Sequence, residues 1–283
     1  MRFGRGMLEH WWLDPDAVYL NHGTVGATPR RVLDAQQALR ESIERHPARF
    51  LSRELMSLDA SPPAAPTRLR VAAERVGAFL GARGADLVFV DNASAGVNAV
   101  LRSLRLQPGD EIVLFDQAYG AVARTAAFVA RGSGARVVTL PLPFPLGDPA
   151  ICLAALEAGL TSRTRLAILD HITSETALVL PLARLAALCR ERGIAVLADG
   201  AHAPGAIELD IPALGVDWYV ANLHKWAFAP RGCGVLWVAP GRREGLHPSV
   251  ISWGSTWAGS RNSTGPARAT RRRPCARRPA SIS

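Results

Sequence analysis

Lys225 is the single lysine among 283 residues, beside 32 arginines. A guanidinium stays protonated and cannot condense with a carbonyl, whereas a lysine amine can once its pKa is lowered. A lone lysine is ordinarily a solvated side chain. This one stands in Asn222-Leu223-His224-Lys225-Trp226, at the end of an apolar run, in a chain where every other basic position is arginine. That context points to imine chemistry. Asp199 follows another apolar run in VLADGAHAPG. It reads either as an N-cap of the next helix or as the carboxylate that keeps the pyridine nitrogen of pyridoxal phosphate protonated, which makes the ring an electron sink. His202, three residues on, reaches either that ring's phenolic oxygen or a local backbone group. Asn92-Ala93-Ser94-Ala95-Gly96 joins a strand to a helix through small residues. Its backbone N–H groups and the Ser94 hydroxyl can cradle a phosphate at the helix N-terminus. Any Ser-capped helix looks similar, so the weight comes from the company of Asp199 and Lys225.

These residues need elements to hold them. Short β-branched or aliphatic runs at 87–90, 111–115, 136–140, 166–169, 194–198, 218–221 and 235–238 read as strands, and 95–104, 118–131, 149–158 and 182–192 carry helical periodicity. Such alternation predicts an α/β fold with a mostly parallel sheet covered by helices on both faces. Ahead of it, 29–45 and 67–80 read as amphipathic helices around a Pro-rich connection at 61–66, together an N-terminal arm. In sheets of this kind ligands bind beyond the carboxyl ends of the strands. Polar groups follow five of the expected strands, in DNASAG at 91–96, DQAYG at 116–120, DHITS at 170–174, DGAH at 199–202 and NLHKW at 222–226.

Composition narrows the class. The chain is 48% hydrophobic and 20% charged, values of an ordinary globular protein that exclude disorder and collagen. No apolar run approaches the roughly 18 residues that span a bilayer, and the start MRFGRGMLEHWWLDPD lacks the apolar core of a secretory signal. Cys152, Cys189, Cys233 and Cys275 are widely spaced without a C-x-x-C, as expected of reduced thiols in a soluble cytoplasmic protein and not of a disulfide frame or metal site. The formal charge of +9 invites a nucleic-acid reading. Seven of the arginines, however, lie in residues 255–283, where there is no acidic residue, and setting them aside lowers +9 to +2. The basicity belongs to the tail.

The segments YLNHGTVGATP at 19–29, PARFLSRE at 47–54, DNASAGVNAVLRSL at 91–104 and AYGAV at 118–122 resemble the pyridoxal-phosphate enzymes of aminotransferase class V. DHITSETALVLP at 170–181, LADGAHAPG at 197–205 and NLHKWAFAPRGCGVLW at 222–237 continue the likeness, which covers about 18–254 and is strongest to the isopenicillin N epimerase-like branch. The resemblance implies the large domain of a fold-type-I transferase at 86–254, following the arm at 1–85. It implies a homodimer with active sites at the subunit interface, acting at Cα of an amino-acid-derived substrate. On that pattern Lys225 is the Schiff-base lysine and Asp199 the partner of the pyridine nitrogen, with His202 and Ser174 at the phenolic oxygen. Asn92, Ala93, Ser94 and His224 fall at the phosphate, and Tyr119 or Gln117 over the ring face. Asn21, His22 and Gly23 match a loop lining the substrate pocket, or equally form a structural turn.

Relatives in this family continue into a small C-terminal domain. Residues 255–283, STWAGSRNSTGPARATRRRPCARRPASIS, have neither periodicity nor enough apolar residues for a core. Back-translated with GC-rich codons and read one base out of phase, 261–272 become Glu-Phe-Asp-Trp-Thr-Gly-Thr-Arg-Asp-Pro-Thr, similar to the W-x-G-T-R-D that follows S-W-G in the family. The expectation is a one-base frameshift just after Trp253-Gly254, which the coding DNA read out of phase would test. It would remove a phosphate contact across the dimer and a cation near the substrate carboxylate, and so impair substrate orientation. Epimerase, aminotransferase and lyase outcomes stay open. So do two readings of another class, an inactive fragment with residual cofactor binding and a basic tail contacting nucleic-acid phosphates.

Overall fold

The computed structural model describes residues 4–24, 26–56 and 65–251. The segment 252–283, with the expected frameshift and Cys275, lies outside them, as does most of the connection expected at 61–66. The strands are β1 (Leu87–Val90), β2 (Glu111–Phe115), β3 (Arg136–Leu140), β4 (Thr164–Asp170), β5 (Ala195–Asp199), β6 (Trp218–Asn222) and β7 (Gly234–Val238). They form one sheet in the order β1-β7-β6-β5-β4-β2-β3.

Strand β7 is antiparallel to both of its neighbours, and every other pair is parallel. The reversal follows from the connection. β6 ends at Asn222 and β7 begins at Gly234 with no helix between them, and a chain that turns back without a crossover pairs antiparallel. Lys225 sits on that turn. Because β1 and β6 are both antiparallel to β7, they point the same way, and the carboxyl ends of β1, β2, β4, β5 and β6 meet at one rim.

Side chains alternate across the sheet and are buried on both sides. Val113, Phe115, Ala167, Leu169, Val196, Ala198 and Tyr219 belong to one apolar cluster, and Ile112, Leu114, Leu166, Ile168, Leu197, Trp218 and Val220 to the other. Two buried faces explain why the runs are continuously apolar instead of alternating. The N-terminal arm carries α1 (Arg30–Arg45), α2 (Pro47–Arg49), which runs into a π-helical turn at Phe50–Leu55, and α3 (Arg68–Phe79). The helices α4 (Ala93–Ser103) and α5 (Gly120–Ser133) cover the second face, while α6 (Ala150–Gly159) and α7 (Leu182–Glu191) cover the first. At the amino-end rim the buried Glu111 accepts from Thr161 Oγ1 at 2.6 Å, Thr164 Oγ1 at 3.2 Å and Arg136 Nε at 3.1 Å, tying β2, β3 and β4 together.

The arm does not stand apart from this body. Trp11 donates its indole N–H to the Ala27 carbonyl at 3.3 Å and packs edge-on against Phe228 with ring centroids 5.6 Å apart. Arg30 Nε–H donates to the Trp11 carbonyl at 2.9 Å. Trp11 and the segment 26–30 therefore pack on the turn that carries Lys225. Among the described residues no helix is long and apolar enough to cross a membrane.

Candidate active site

A cavity of about 270 Å³ opens at the carboxyl-end rim. Lys225, Asp199, His202, Tyr119, Ser174 and His224 line it, and so do Asn92, Ala93 and Ser94 at the start of α4. Chain segments far apart in sequence thus deliver the expected groups to one place.

The helix end is prepared by its own sequence. Asn92 caps α4, its Oδ1 accepting the Ala95 N–H at 2.9 Å, and the Ala93 N–H donates to Asn222 Oδ1 at 2.8 Å. Of the first three amides of the helix these two are thereby spent. Ser94, between them, lines the cavity at the electropositive end of an 11-residue helix. The sequence expects Asn92, Ala93 and Ser94 alike at a phosphate; the Asn92 side chain and the Ala93 amide are instead engaged within the protein, which leaves Ser94 of the three.

Asp199 ends β5 and is 3% exposed; its Oδ1 accepts the Ala201 N–H at 3.0 Å. Burial raises its pKa, while that amide and the charge of Lys225 pull it down. Asp170 ends β4 directly opposite Asp199 in the parallel register and is also 3% exposed. Burial, and then the Asp199 charge, raise its pKa well above the ordinary carboxylate range. Two buried acids side by side cannot both ionise cheaply, so the charge of one opposes ionisation of the other.

Lys225 Nζ lies 2.9 Å from His202 Nε2. Burial lowers the lysine pKa against an opposing pull from Asp199, and burial, followed by the lysine charge, pushes His202 down to about 4. The imidazole is therefore neutral at neutral pH. His224 Nδ1 is 2.8 Å from the Cys233 carbonyl across the base of the turn. The site thus combines an amine of lowered basicity, a buried acid pair and a helix N-terminus. That set can capture a carbonyl compound covalently, hold a ring nitrogen and seat an anion. Among the described residues no group of His, Cys, Asp and Glu could hold a metal ion.

Other expected residues take different positions. Gln117 is turned away from the cavity and accepts from Thr176 Oγ1 at 3.1 Å, whereas Tyr119, 47% exposed, lines it. Asn21, His22 and Gly23 are not among its lining residues. Asn21 closes a turn, its Oδ1 accepting the Thr24 N–H at 3.0 Å, and the His22 ring packs edge-on between Tyr19 and Phe228. Gly23 approaches so closely that a Cβ there would lie 3.0 Å from His202 Nδ1 and from Trp226 Cζ2. At Gly26 a Cβ would lie 2.3 Å from the His224 carbonyl oxygen. The segment reaches the site by packing on the lysine turn, not by lining the cavity. Asp170 and Asn222, both in the cavity wall, were not among the residues singled out from sequence. The one available signal was that each is a polar residue closing an apolar run.

The aminotransferase class-V family profile matches residues 18–258. Isopenicillin N epimerase of Streptomyces clavuligerus is 39% identical over 241 residues, 85% of this chain and 58% of that protein. A probable chloroplastic L-cysteine desulfhydrase of Arabidopsis thaliana is 32% identical over 275 residues, 88% of this chain and 56% of that protein. A solved structure of a C-DES mutant with glycine covalently linked to its PLP cofactor superimposes with a TM-score of 0.72 at 25% identity, covering 88% of this chain and 66% of that one. The chain spans a little under three-fifths of the length of these two curated relatives.

Proposed function

The chain belongs to the aminotransferase class-V family, and on that premise we propose that it is a pyridoxal-phosphate enzyme acting at Cα of an amino-acid-derived substrate through Lys225. The observation that carries the reading is the one lysine of the chain, half-buried in the rim cavity at 2.9 Å from His202, with Asp199 buried in the same wall.

The donor set fits the cofactor group by group. The Lys225 amine suits the aldehyde, the Asp199 carboxyl the pyridine nitrogen, and Ser94 in the first turn of α4 the phosphate. His202 and Ser174 are the contacts for the phenolic oxygen, His224 and Asn92 complete the phosphate end, and Tyr119 covers the ring face. When bound, pyridoxal phosphate supplies an aldehyde for capturing amines and a protonated ring that accepts the charge left at Cα.

The protein's own groups do the rest. Lys225 takes the covalent link and, once an incoming amine displaces it, moves a proton at Cα. Asp199 keeps its negative charge beside the ring nitrogen, and Asp170 carries the proton that lets it do so. Residues 86–254 form the cofactor-binding domain and 1–85 the arm. A cytoplasmic homodimer accords with the cysteines, free among the described residues, and with the family pattern. Relatives named for epimerisation and for desulfhydration support Cα chemistry without choosing between proton return and elimination.

The test is reconstitution of the purified full chain with pyridoxal phosphate. Visible absorption that disappears in Lys225→Ala, together with a borohydride-trapped adduct on the peptide bearing Lys225, is the expected result. Folded protein without lysine-dependent colour would sink the proposal. A panel of amino acids then separates racemisation, half-transamination and elimination by product.

A further inference from the structure

Trp226, Lys225 and His202 form a hydrogen-bonded chain whose polarity follows from donor chemistry. An indole N–H can only donate, and Trp226 Nε1–H donates to His202 Nδ1 at 3.3 Å. A ring nitrogen that accepts carries no proton, so the proton of the neutral imidazole sits on Nε2. That atom lies 2.9 Å from Lys225 Nζ. With Nε2–H donating, Nζ must offer a lone pair, which only the uncharged amine has. An ammonium at Nζ would set N–H against N–H, or would drive His202 into the other tautomer and set its Nδ1–H against the indole N–H.

We infer that Trp226 is a positioning residue that fixes the tautomer of His202 and thereby holds the Lys225 amine in its free-base, nucleophilic form in the cofactor-free protein. The inference rests on the reading of Lys225 as the amine that takes the covalent link. The surrounding packing holds the chain in place. A Cβ at Gly205 would lie 2.3 Å from the Trp226 carbonyl oxygen, so glycine there lets the backbone close on residue 226, and Gly23 lies against the imidazole and indole rings. His22 stands edge-on to Trp226 with ring centroids 6.0 Å apart.

The other titratable groups facing Lys225 are Asp199, which draws it toward the ammonium, Asp170 beside Asp199, and His224 and Tyr119 in the cavity wall. The lowered pKa of Lys225 and the neutrality of His202 agree with the polarity derived from geometry.

The single lysine makes the test site-specific. In the cofactor-free full chain, competitive acetylation across a pH series followed by peptide mass spectrometry titrates Lys225 separately from the α-amino group. Trp226→Phe, which keeps an aromatic ring and loses the N–H, is expected to raise the Lys225 pKa by about one pH unit, the worth of one hydrogen bond. Trp226→Gln, which keeps an N–H donor without the indole, is expected to retain about half or more of the depression. An unchanged pKa in the Phe variant, or an equal rise in both variants, overturns the inference. Histidine ring-nitrogen NMR shifts on the unmutated chain need no variant. Nδ1 bare and Nε2 protonated in His202 is expected, and the reverse overturns it. If the pKa stays unmoved while lysine-dependent colour forms, this inference fails and the proposed function stands. A missing colour in the unmutated protein overturns the function and leaves the titration readable.

Discussion

Replacing Asp170 by Asn should stabilise the protein, by an amount that grows with pH. The two carboxyls end neighbouring parallel strands in register and are both buried. At the strand spacing of ~4.8 Å, two charges in a medium of effective dielectric ~20 repel by ~3.5 kcal/mol. That is a ceiling, because the pair escapes most of it by keeping a proton, which itself costs more as pH rises. Both pKa values are raised in the folded state, Asp170 the more, by burial and by the Asp199 charge. Below the ordinary carboxylate value of 3.8, folded and unfolded chains are equally protonated and the pair costs no stability. Above it the unfolded chain ionises while the folded one resists, so stability drains away until pH passes the folded values. Asn keeps the shape and can still accept a hydrogen bond, but escapes that loss. The expected gain is near zero at about pH 4 and about 1–3 kcal/mol at about pH 8. For a chain of this size it amounts to roughly 2–10 °C in Tm. Thermal unfolding of both proteins across that range by circular dichroism measures it. A difference that is flat with pH, or a variant less stable at alkaline pH, would show that the carboxylate is held charged by its neighbours and refute the reasoning.

Gly26→Ala would place a Cβ 2.3 Å from the His224 carbonyl oxygen, backbone against backbone, so the segment must move by ~1 Å. It should lower stability by about 1–3 kcal/mol and slow cofactor attachment at Lys225 by roughly 100-fold; unchanged melting and attachment rates would contradict it. At the opposite rim, burial raises the Glu111 pKa, but bonds from Thr161, Arg136 and Thr164 outweigh it and leave the carboxyl below its ordinary 4.5. Its contribution is therefore present above that value and lost as pH falls through the lowered one. Glu111→Gln should cost about 1–3 kcal/mol at neutral pH, and the difference should shrink in urea titrations toward about pH 3. A gap that persists in acid would show the loss to be steric.

The strands could be read because both faces of the sheet are covered, which leaves β2, β6 and β7 buried throughout and apolar apart from Glu111 at the start of β2 and Asn222 at the end of β6. Boundaries shifted where capping decides them. α4 was expected from 95 and begins at Ala93, because Asn92 and not Ser94 caps it. The choice between Gln117 and Tyr119 could not be made from sequence. Both follow β2 within a few residues, and the bond of Gln117 to Thr176 turns one away. Asp170 shows the limit most clearly. Along the chain it is one of several acids that end a strand, and only the β4–β5 register places it against Asp199. Periodicity carries no information on which strands become neighbours.

Residue type singled out the amine, but reactivity belongs to its surroundings. An amine in water is an ammonium at neutral pH, and three things in the fold work against that here: burial, a neutral imidazole at 2.9 Å, and an indole N–H that fixes the direction of the hydrogen bonds. The arm packs against two of the three. His22 and Gly23 cover the indole–imidazole contact, and Gly26 lets the arm rest on the backbone of His224 and Lys225. The arm is therefore a working part of the site even though its residues stand outside the cavity wall. The segment NHGTVG carries glycine at both points of contact, and at Gly26 any side chain would press the arm off the His224 carbonyl.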